Sequence, residues 1–250
     1  MSAFLVDPDD VRGDSLCLRD EEAHHVRVRR IRPGERCDVI DGRGTSYEVE
    51  LREIGDDRVE ADILGVHEGR GERRTMLHLA AALTKGQRFD YAVEKATEVG
   101  VASIIPVETA RTVARQERGQ KRVERWRRLA VAAAKQAGRS VIPEIGDVTK
   151  LEEVADGPLA DVDMKLMASA RGSEELSNSL SNSGAGRSAL LFIGPEGCFC
   201  EAEETFLRNQ GARAFTWGSS TLRADTACVV LSALVLDALE DPRRGRPSER

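Results

Sequence analysis

Two glycine-bearing loops, each placed directly after an apolar run, constrain the fold of this chain more than any other feature. The first run ends at Ile193 and is followed by the tetrapeptide Gly-Pro-Glu-Gly at 194–197. The second run, 212–217, is followed by a Gly/Ser loop and then by another apolar segment. In an open α/β sheet, the loops at the carboxyl ends of the strands bind ligands. The sequence therefore predicts a ligand site made by these two loops.

From residue 76 onwards, continuous apolar runs alternate with segments of helical periodicity. The run 76–83 is apolar throughout, as is typical of a strand buried on both faces. Thr84 and Gln87 fit a capping box at the start of the helix behind it, and Gly100 and Gly138 follow the first two helical segments. We expect an α/β domain with a mostly parallel sheet, with strands at 76–83, 102–107, 163–168, 190–193 and 213–217 and with later helices at 122–137, 201–209 and 225–239.

The amino-terminal part of the chain has a different pattern. Strand-like runs at 38–41, 46–54 and 59–66 are separated by tight turns that contain glycine. Short strands at this spacing indicate a small barrel. We expect a β-barrel domain at 1–70, an α/β domain at 74–242 and a polar tail at 243–250. The Ser- and Asn-rich segment 177–188 is predicted to be a flexible loop.

The charge distribution leaves an RNA partner open. A net charge of −6 over 250 residues argues against a uniformly basic coat, but binding needs only a local basic patch. Five arginines between His24 and Arg36 stand against one acid, and eight basic residues between Arg111 and Arg128 stand against two. Either cluster could be an ordinary solvated face. The guanidinium fork suits phosphate, and the RNA-binding candidates are Arg27, Arg29, Arg30, Arg111 and Arg115, with Gln136 and Arg139 reading RNA or closing a dimer.

The cysteines and the apolar segments point to an intracellular protein. Five cysteines are scattered without a Cys-x-x-Cys pair, so neither a disulfide framework nor a zinc site is indicated. No secretory signal follows Met1, and the longest apolar stretch, 226–239, is too short to cross a bilayer. We expect a cytoplasmic protein with reduced thiols, no membrane span and no metal.

The two loops resemble the cofactor loops of the SPOUT methyltransferases. The resemblance rests on 193–197, on Gly218 and on the pairs Leu222-Arg223 and Thr226-Ala227. The segments 95–100 (Lys-Ala-Thr-Glu-Val-Gly) and 132–139 (Ala-Ala-Ala-Lys-Gln-Ala-Gly-Arg) narrow it to the RsmE branch. That family methylates N3 of a uridine in 16S ribosomal RNA. The likeness covers most of the chain.

This resemblance implies a specific fold, cofactor and substrate. The fold would be a SPOUT-type α/β knot, a deep trefoil knot, preceded by a PUA-like β-barrel that binds RNA. The chain would act as a homodimer on 16S rRNA in the small ribosomal subunit, at conventional nucleotide 1498. A cation beside the uridine would stabilise the negative charge that develops on the base, and Arg223 is the candidate for that catalytic role. The same side chain could instead anchor an RNA phosphate or pair with Asp225. S-adenosyl-L-methionine would be held by Leu166, Ile193, Gly194, Pro195, Glu196, Gly197, Trp217, Gly218, Leu222 and Thr226.

Four positions depart from the family pattern. Cys198 stands where the family usually has a second glycine, and Cys200 replaces the serine that caps the next helix. Trp217 replaces a leucine, and Asp225 replaces the longer glutamate. Two other interpretations therefore stay open: a SPOUT methyltransferase of another RNA position or of a ribose 2′-hydroxyl, and an RNA-binding homologue without catalysis. No Gly-x-Gly-x-x-Gly follows a strand, which argues against a nicotinamide dehydrogenase.

Overall fold

The chain forms two compact units. The computed structural model describes residues 2–112, 119–169, 174–181 and 188–240. One unit comprises Met1–Glu72 together with Val131–Ile142, and the other comprises Arg73–Ala130 together with Pro143–Arg250. The predicted polar tail, 243–250, lies outside the described residues.

The first unit is built on a six-stranded sheet with one helix. In chain order its elements are β1 (Phe4–Leu5), β2 (Val11–Arg12), β3 (Ser15–Arg19), α1 (Asp20–Val28), β4 (Arg36–Ile40), β5 (Thr45–Ile54) and β6 (Arg58–Glu68), with a 3-10 turn at Pro8–Asp10. The strands are ordered β1-β4-β5-β6-β3-β2, and the β1–β4 pair is parallel while the others are antiparallel. The strands expected at 38–41, 46–54 and 59–66 are confirmed as β4, β5 and β6.

Alternation along the strands builds the core of this unit. On β5, Val49 and Leu51 are buried, and on β6, Val59 and Ala61 are buried. The spacing of two places these side chains on one face of the sheet. Helix α1 adds Ala23 and Val26 to the same cluster. It overlaps the start of the first arginine-rich segment and was not predicted, because the run of charges conceals its two apolar positions.

The second unit is built on a parallel sheet. Its elements are β7 (Met76–Ala82), α2 (Arg88–Val99), β8 (Ser103–Glu108), α3 (Gly119–Ala137), β9 (Glu144–Ile145), β10 (Thr149–Lys150), α4 (Leu151–Ala155), β11 (Met164–Ala168), α5 (Leu176–Ser181), β12 (Ser188–Ile193), α6 (Glu201–Asn209), β13 (Arg213–Phe215) and α7 (Ala224–Glu240). The order is β10-β8-β7-β12-β11-β13, and β9 also pairs with β8. Every pair in this sheet is parallel.

The apolar runs are the central strands of this sheet. Residues 189–193 of β12 and 79–82 of β7 are buried in sequence, as expected for strands covered on both faces. Parallel pairing brings the carboxyl ends of β7, β12, β11 and β13 to one edge. The two glycine-bearing loops leave the sheet at that edge, after β12 and β13.

Two side chains of this unit, on α3 and β7, have their polar ring atoms paired by hydrogen bonds. Trp126 on α3 is buried, packs its ring 4.5 Å from that of Phe89 and donates its indole N–H to Asp90 at 2.8 Å. His78 on β7 has its Nδ1 2.8 Å from the Ser103 hydroxyl. Burial lowers the pKa of His78 below its ordinary value, so the imidazole stays neutral.

Two local predictions were wrong. Helix α2 begins at Arg88 with Gln87 at its N-cap and no side-chain cap, so Thr84 and Gln87 do not form a capping box. The segment expected to be a flexible loop contains α5 and the first residue of β12. Its start is fixed because the Thr216 N–H donates to the Glu174 carbonyl at 2.8 Å, next to the end of β13. Backbone pairing at a sheet edge thus overrides a Ser/Asn-rich composition. Residues 182–187 lie outside the described part of the chain.

The carboxyl end of α3, residues 131–137, belongs to the first unit, and two ion pairs within that unit hold it and the residues that follow. Lys135 binds Glu22, and Arg139 donates to Glu72 at 2.7 Å. Glu72 also accepts the Val141 N–H at 2.9 Å. Arg139 is only 2% exposed, so its guanidinium cannot reach an RNA phosphate. The structure therefore does not support the RNA-binding role expected for Arg139; the residue holds the 131–142 segment in place.

No helix among the described residues is long and apolar enough to cross a membrane.

Replacing Glu72 with alanine should destabilise the first unit. The substitution removes the carboxylate that pairs with the buried Arg139, and breaking a buried ion pair from one side costs about 3–5 kcal/mol. Urea denaturation followed by circular dichroism measures the change. Asp56→Ala is the matched control, because Asp56 pairs with Arg27 at the surface and should leave the transition where it is. Equal effects of the two variants would contradict a structural role for Glu72.

Candidate functional site at the ends of β12 and β13

A cavity of about 300 Å³ opens beyond the carboxyl ends of β11, β12 and β13. Its size is at the lower end of the range for small-molecule sites, about 300–1,000 Å³. The two glycine-bearing loops and the first turns of α7 form its walls. It is lined by Ala168, Ser169, Ile193, Gly194, Pro195, Glu196, Cys198, Phe215, Thr216, Trp217, Gly218, Ser219, Ser220, Thr221, Leu222, Arg223, Ala224, Ala227 and Leu231.

The first wall is a tight turn. The Cys198 N–H donates to the Pro195 carbonyl at 2.8 Å, which closes the turn over Glu196 and Gly197. Cys198 has a φ of +58°, in the left-handed region where a Cβ is disfavoured. The glycine usual at this position would adopt that angle without steric cost. The departure at Cys198 therefore leaves the turn in place and adds backbone strain.

Two arginines hold this turn from outside the cavity. Arg88, the first residue of α2, places its Nη1 3.0 Å from Oε1 of Glu196. Arg111, in the loop after β8, donates from Nη1 to the carbonyl of Gly197. Both arginines are exposed. The loops after β7, β8 and β12 therefore meet at the turn.

Two buried carboxylates fix the start of α6 behind the turn. Glu203 accepts the N–H of Cys200 at 2.8 Å and the N–H of Ala110 at 2.6 Å. Glu204 accepts the Ser169 hydroxyl at 2.8 Å. Glu203 thus makes the glutamate half of a capping box, because it accepts the N–H of the N-cap residue. It also ties the loop after β8 to the helix. The substitution at Cys200 does not prevent the helix from starting at Glu201.

The second wall is the loop 216–223, and it carries the largest exposed aromatic surface near the site. Trp217 is 39% exposed. Gly218 has a φ of +50°, so the chain turns sharply behind the indole. Arg223 is 69% exposed at its side chain, and its Nε lies 4.0 Å from Oδ1 of Asp225. At that separation, near the surface, the pair holds Arg223 only weakly.

Helix α7 closes the cavity with small side chains. Ala224, Ala227 and Leu231 recur at spacings of three and four, which puts them on one face of the helix. Cys228, on a buried face, has its pKa raised to about 12 by burial and by the Asp225 carboxylate. It therefore stays a thiol. All five cysteines of the chain are free.

Most of the residues predicted for the cofactor site meet at this cavity. Ile193, Gly194, Pro195, Glu196, Trp217, Gly218, Leu222 and Arg223 line it. Three others do not. Leu166 is fully buried within β11, two residues before the strand end that the cavity reaches. Gly197 faces Arg111 on the outside of the turn. Thr226 lies off the α7 face formed by Ala224 and Ala227.

Ala168 and Ser169, at the end of β11, also line the cavity and were not predicted as site residues. The parallel register pairs Ala168 with Ile193 on one side and Phe215 on the other. Ala168 therefore lies between the two predicted loops, and Ser169 directly follows it. The apolar run 163–168 was recognised as a strand with its correct end, but nothing local showed that this end lies between the two loops. Only the strand order places it at the centre of the site.

The RNA-binding candidates are dispersed. In the first unit, Arg27 pairs with Asp56 at 3.2 Å, whereas Arg29 lies over the Phe4 ring at 4.9 Å. Arg30 and Gln136 are exposed. In the second unit, Arg111 contacts the turn as described. Arg115 lies outside the described residues. Within the part of the chain that the structure describes, no group of three His, Cys, Asp or Glu side chains could hold a metal ion.

Replacing Cys198 with glycine should stabilise the second unit. Glycine adopts the observed φ of +58° without a Cβ clash, and the gain should be about 0.5–1 kcal/mol after the entropy cost of glycine. Cys198→Val should act in the opposite direction, because a β-branched side chain is least tolerated there. Thermal unfolding of the three proteins checks the order. A loss of stability in the glycine variant would show that the thiol packing outweighs the strain.

Comparison with known proteins identifies the family. Residues 71–236 match the RNA methyltransferase domain model, and residues 18–64 match the RNA methyltransferase PUA domain model. Ribosomal RNA small subunit methyltransferase E from Mycobacterium bovis is 32% identical over 221 residues, 84% of this chain and 81% of that protein. The Bacillus subtilis protein of the same name is 29% identical, over 85% of this chain and 86% of its own length.

Solved structures of methyltransferases are similar to this chain over nearly its whole length. Ribosomal RNA small subunit methyltransferase E from Neisseria gonorrhoeae, bound to S-adenosyl methionine, has a TM-score of 0.85 at 28% identity and covers 95% of this chain and 97% of its own. A putative methyltransferase from Legionella pneumophila in complex with the same cofactor has a TM-score of 0.81 at 26% identity, covering 95% and 98%. This chain belongs to the ribosomal RNA small subunit methyltransferase E family, with a PUA domain followed by an RNA methyltransferase domain.

Proposed function

We propose that this chain uses S-adenosyl-L-methionine to methylate N3 of a uridine in 16S rRNA of the small ribosomal subunit, at conventional nucleotide 1498. The observation that carries the proposal is the cavity between the two glycine-bearing loops, in a chain similar over nearly its whole length to small subunit methyltransferases. Seven of the ten predicted cofactor residues and Arg223 line that cavity, which supports the proposal. Both departures in the first loop, Cys198 and Cys200, leave its backbone intact.

The cavity suits an adenosine-containing cofactor. Its apolar lining, including Ile193, Leu222 and Leu231, can take an adenine ring, and the hydroxyls of Ser219, Ser220 and Thr221 can bind ribose or carboxylate oxygens. The backbone at Gly194 and Gly218 can approach a ligand closely because no Cβ intervenes. When bound, the cofactor supplies an electrophilic methyl group on a sulfonium.

Arg223 is proposed as the catalytic cation. Attack by uridine N3 requires loss of the N3 proton, so negative charge develops on the base. A guanidinium fixed beside the base would stabilise that charge. Support comes from the position of Arg223 on the cavity wall, its exposure and its weak 4.0 Å pairing with Asp225. Anchoring of an RNA phosphate by the same side chain is the competing role.

Replacing Arg223 with alanine separates these two roles. Removal of a cation that acts in the transition state should lower kcat by about 100-fold or more and leave KM for RNA little changed. Removal of a phosphate anchor should mainly raise KM. Steady-state kinetics on the RNA substrate gives both constants, and calorimetry with S-adenosyl-L-methionine confirms that the cofactor site persists. A change confined to KM would reject the catalytic assignment.

Several further properties are part of the proposal. The first unit would bind RNA through Arg27, Arg29, Arg30 and Gln136, and the second unit would bind RNA through Arg111 and Arg115. The chain would work in the cytoplasm as a homodimer with a trefoil knot in its carboxyl-terminal part. Dimerisation is supported by α7, where Val229, Val230, Ala233 and Leu234 remain only half-buried in the single chain, as expected for an interface helix.

Labelled methyl transfer tests the proposed function directly. Purified protein is incubated with methyl-labelled S-adenosyl-L-methionine and small ribosomal subunits from cells that lack the modification, and the RNA is digested to nucleosides. We expect the label in 3-methyluridine. Label in another nucleoside would keep the enzyme class and reject the N3 assignment. Absence of both label and calorimetric cofactor binding would leave an RNA-binding protein without catalysis.

A further inference from the structure

The cavity has a basic rim, of which only Arg111 was predicted as a site residue. The loop after β7 carries Lys85 and leads to Arg88, and the loop after β8 carries Arg111; all three side chains are exposed. Strands β8, β7 and β12 are neighbours in the parallel sheet. Their carboxyl ends therefore place these cations beside the turn at 194–197, on the β7 and β8 side of the cavity.

Arg88 is held there by an acid that belongs to the cavity wall. Its Nη1 lies 3.0 Å from Oε1 of Glu196, and the two side chains are 45% and 38% exposed. An ion pair as exposed as this adds little net stability, because water already solvates both groups well. A phosphate can replace the carboxylate on the guanidinium fork, and bidentate arginine–phosphate contacts are among the stronger charge-assisted hydrogen bonds.

We propose that Arg88, with Arg111, binds an RNA phosphate, and that Glu196 competes with that phosphate for Arg88. This inference rests on the proposed function, in which RNA is the substrate. Glu196 lines the cavity, so the exchange removes a contact from the same turn that would hold the cofactor. Arrival of RNA on the rim is thereby connected to the cofactor loop through one ion pair.

The competition predicts opposite effects from the two partners. Arg88→Ala should weaken RNA binding and should lower the slope of log K against log salt by about 0.7, the contribution of one phosphate contact to a single strand. Glu196→Gln should tighten RNA binding by about two- to fivefold, because the amide no longer competes for the guanidinium. In an Arg88→Ala background, Glu196→Gln should have no effect.

The experiment uses the full chain and a fluorescein-labelled single-stranded RNA that contains uridine. Fluorescence anisotropy at KCl concentrations from about 50 to 200 mM gives the salt slope for each variant. Arg88→Lys keeps the positive charge but lacks the guanidinium fork. Its affinity for RNA should lie between that of the wild type and that of Arg88→Ala. Arg208→Ala is the matched control: Arg208 is 48% exposed and lies 4.0 Å from Glu204, away from the turn. Its slope should equal that of the wild type.

Two results would overturn the inference. One is a salt slope for Arg88→Ala equal to that of the wild type. The other is an equal gain in RNA affinity from Glu196→Gln in the wild-type and Arg88→Ala backgrounds. That result would mean that Glu196 repels RNA without competing for this arginine. If wild-type protein forms labelled 3-methyluridine while either result is obtained, the inference fails and the proposed function stands. If RNA binding follows the predicted pattern but no methyl is transferred, phosphate binding by the basic rim is supported and the proposed function fails.

Discussion

Parallel pairing of β7, β12, β11 and β13 is the constraint on which the rest of the site depends. The register pairs Ala81 with Ile193 and Ala168 with both Ile193 and Phe215. Four strands therefore end at one edge of the sheet. The loops that follow these strands lie next to one another at that edge. Since the strands are buried on both faces, only the side chains at their carboxyl ends, such as Ala168, Ile193 and Phe215, reach the cavity. Function is left to the loops, which explains why the cavity is lined mainly by residues beyond the strand ends.

The turn at 194–198 is defined by contacts on both of its sides. The Pro195 carbonyl closes it from within, Arg88 and Arg111 hold it from without, and Glu203 fixes the helix that follows. These contacts over-determine the backbone, so a cysteine can occupy a left-handed position that favours glycine. The family's pattern of small residues is therefore one way to make this turn. Here, tertiary contacts compensate for the missing glycine.

Features that depend on local sequence patterns were predicted correctly. Prediction failed where contacts between residues far apart in the chain determine the structure. Continuous apolar runs identified β7, β8, β11, β12 and β13, and seven of the ten cofactor residues expected from the resemblance line the cavity. Helix α5 and the place of β11 between β12 and β13 depend on strand order and on backbone pairing, which leave no local signal. Arg139 was misjudged for the same reason: its partner Glu72 lies far away in the chain, and nothing local distinguishes a buried arginine from a surface one.

The arginines divide into two classes once their partners are known. Arg139 is buried against a carboxylate whose other hydrogen bond goes to the backbone, so exchange with a phosphate would leave Glu72 desolvated and unpaired. Arg88 pairs with Glu196 at the surface, where both groups stay hydrated when they separate. Only the second kind of pair can be exchanged cheaply for a ligand. A count of arginines in the sequence therefore overestimates the RNA-binding surface. The burial of the acidic partner distinguishes an arginine with a structural role from one whose partner a phosphate can replace.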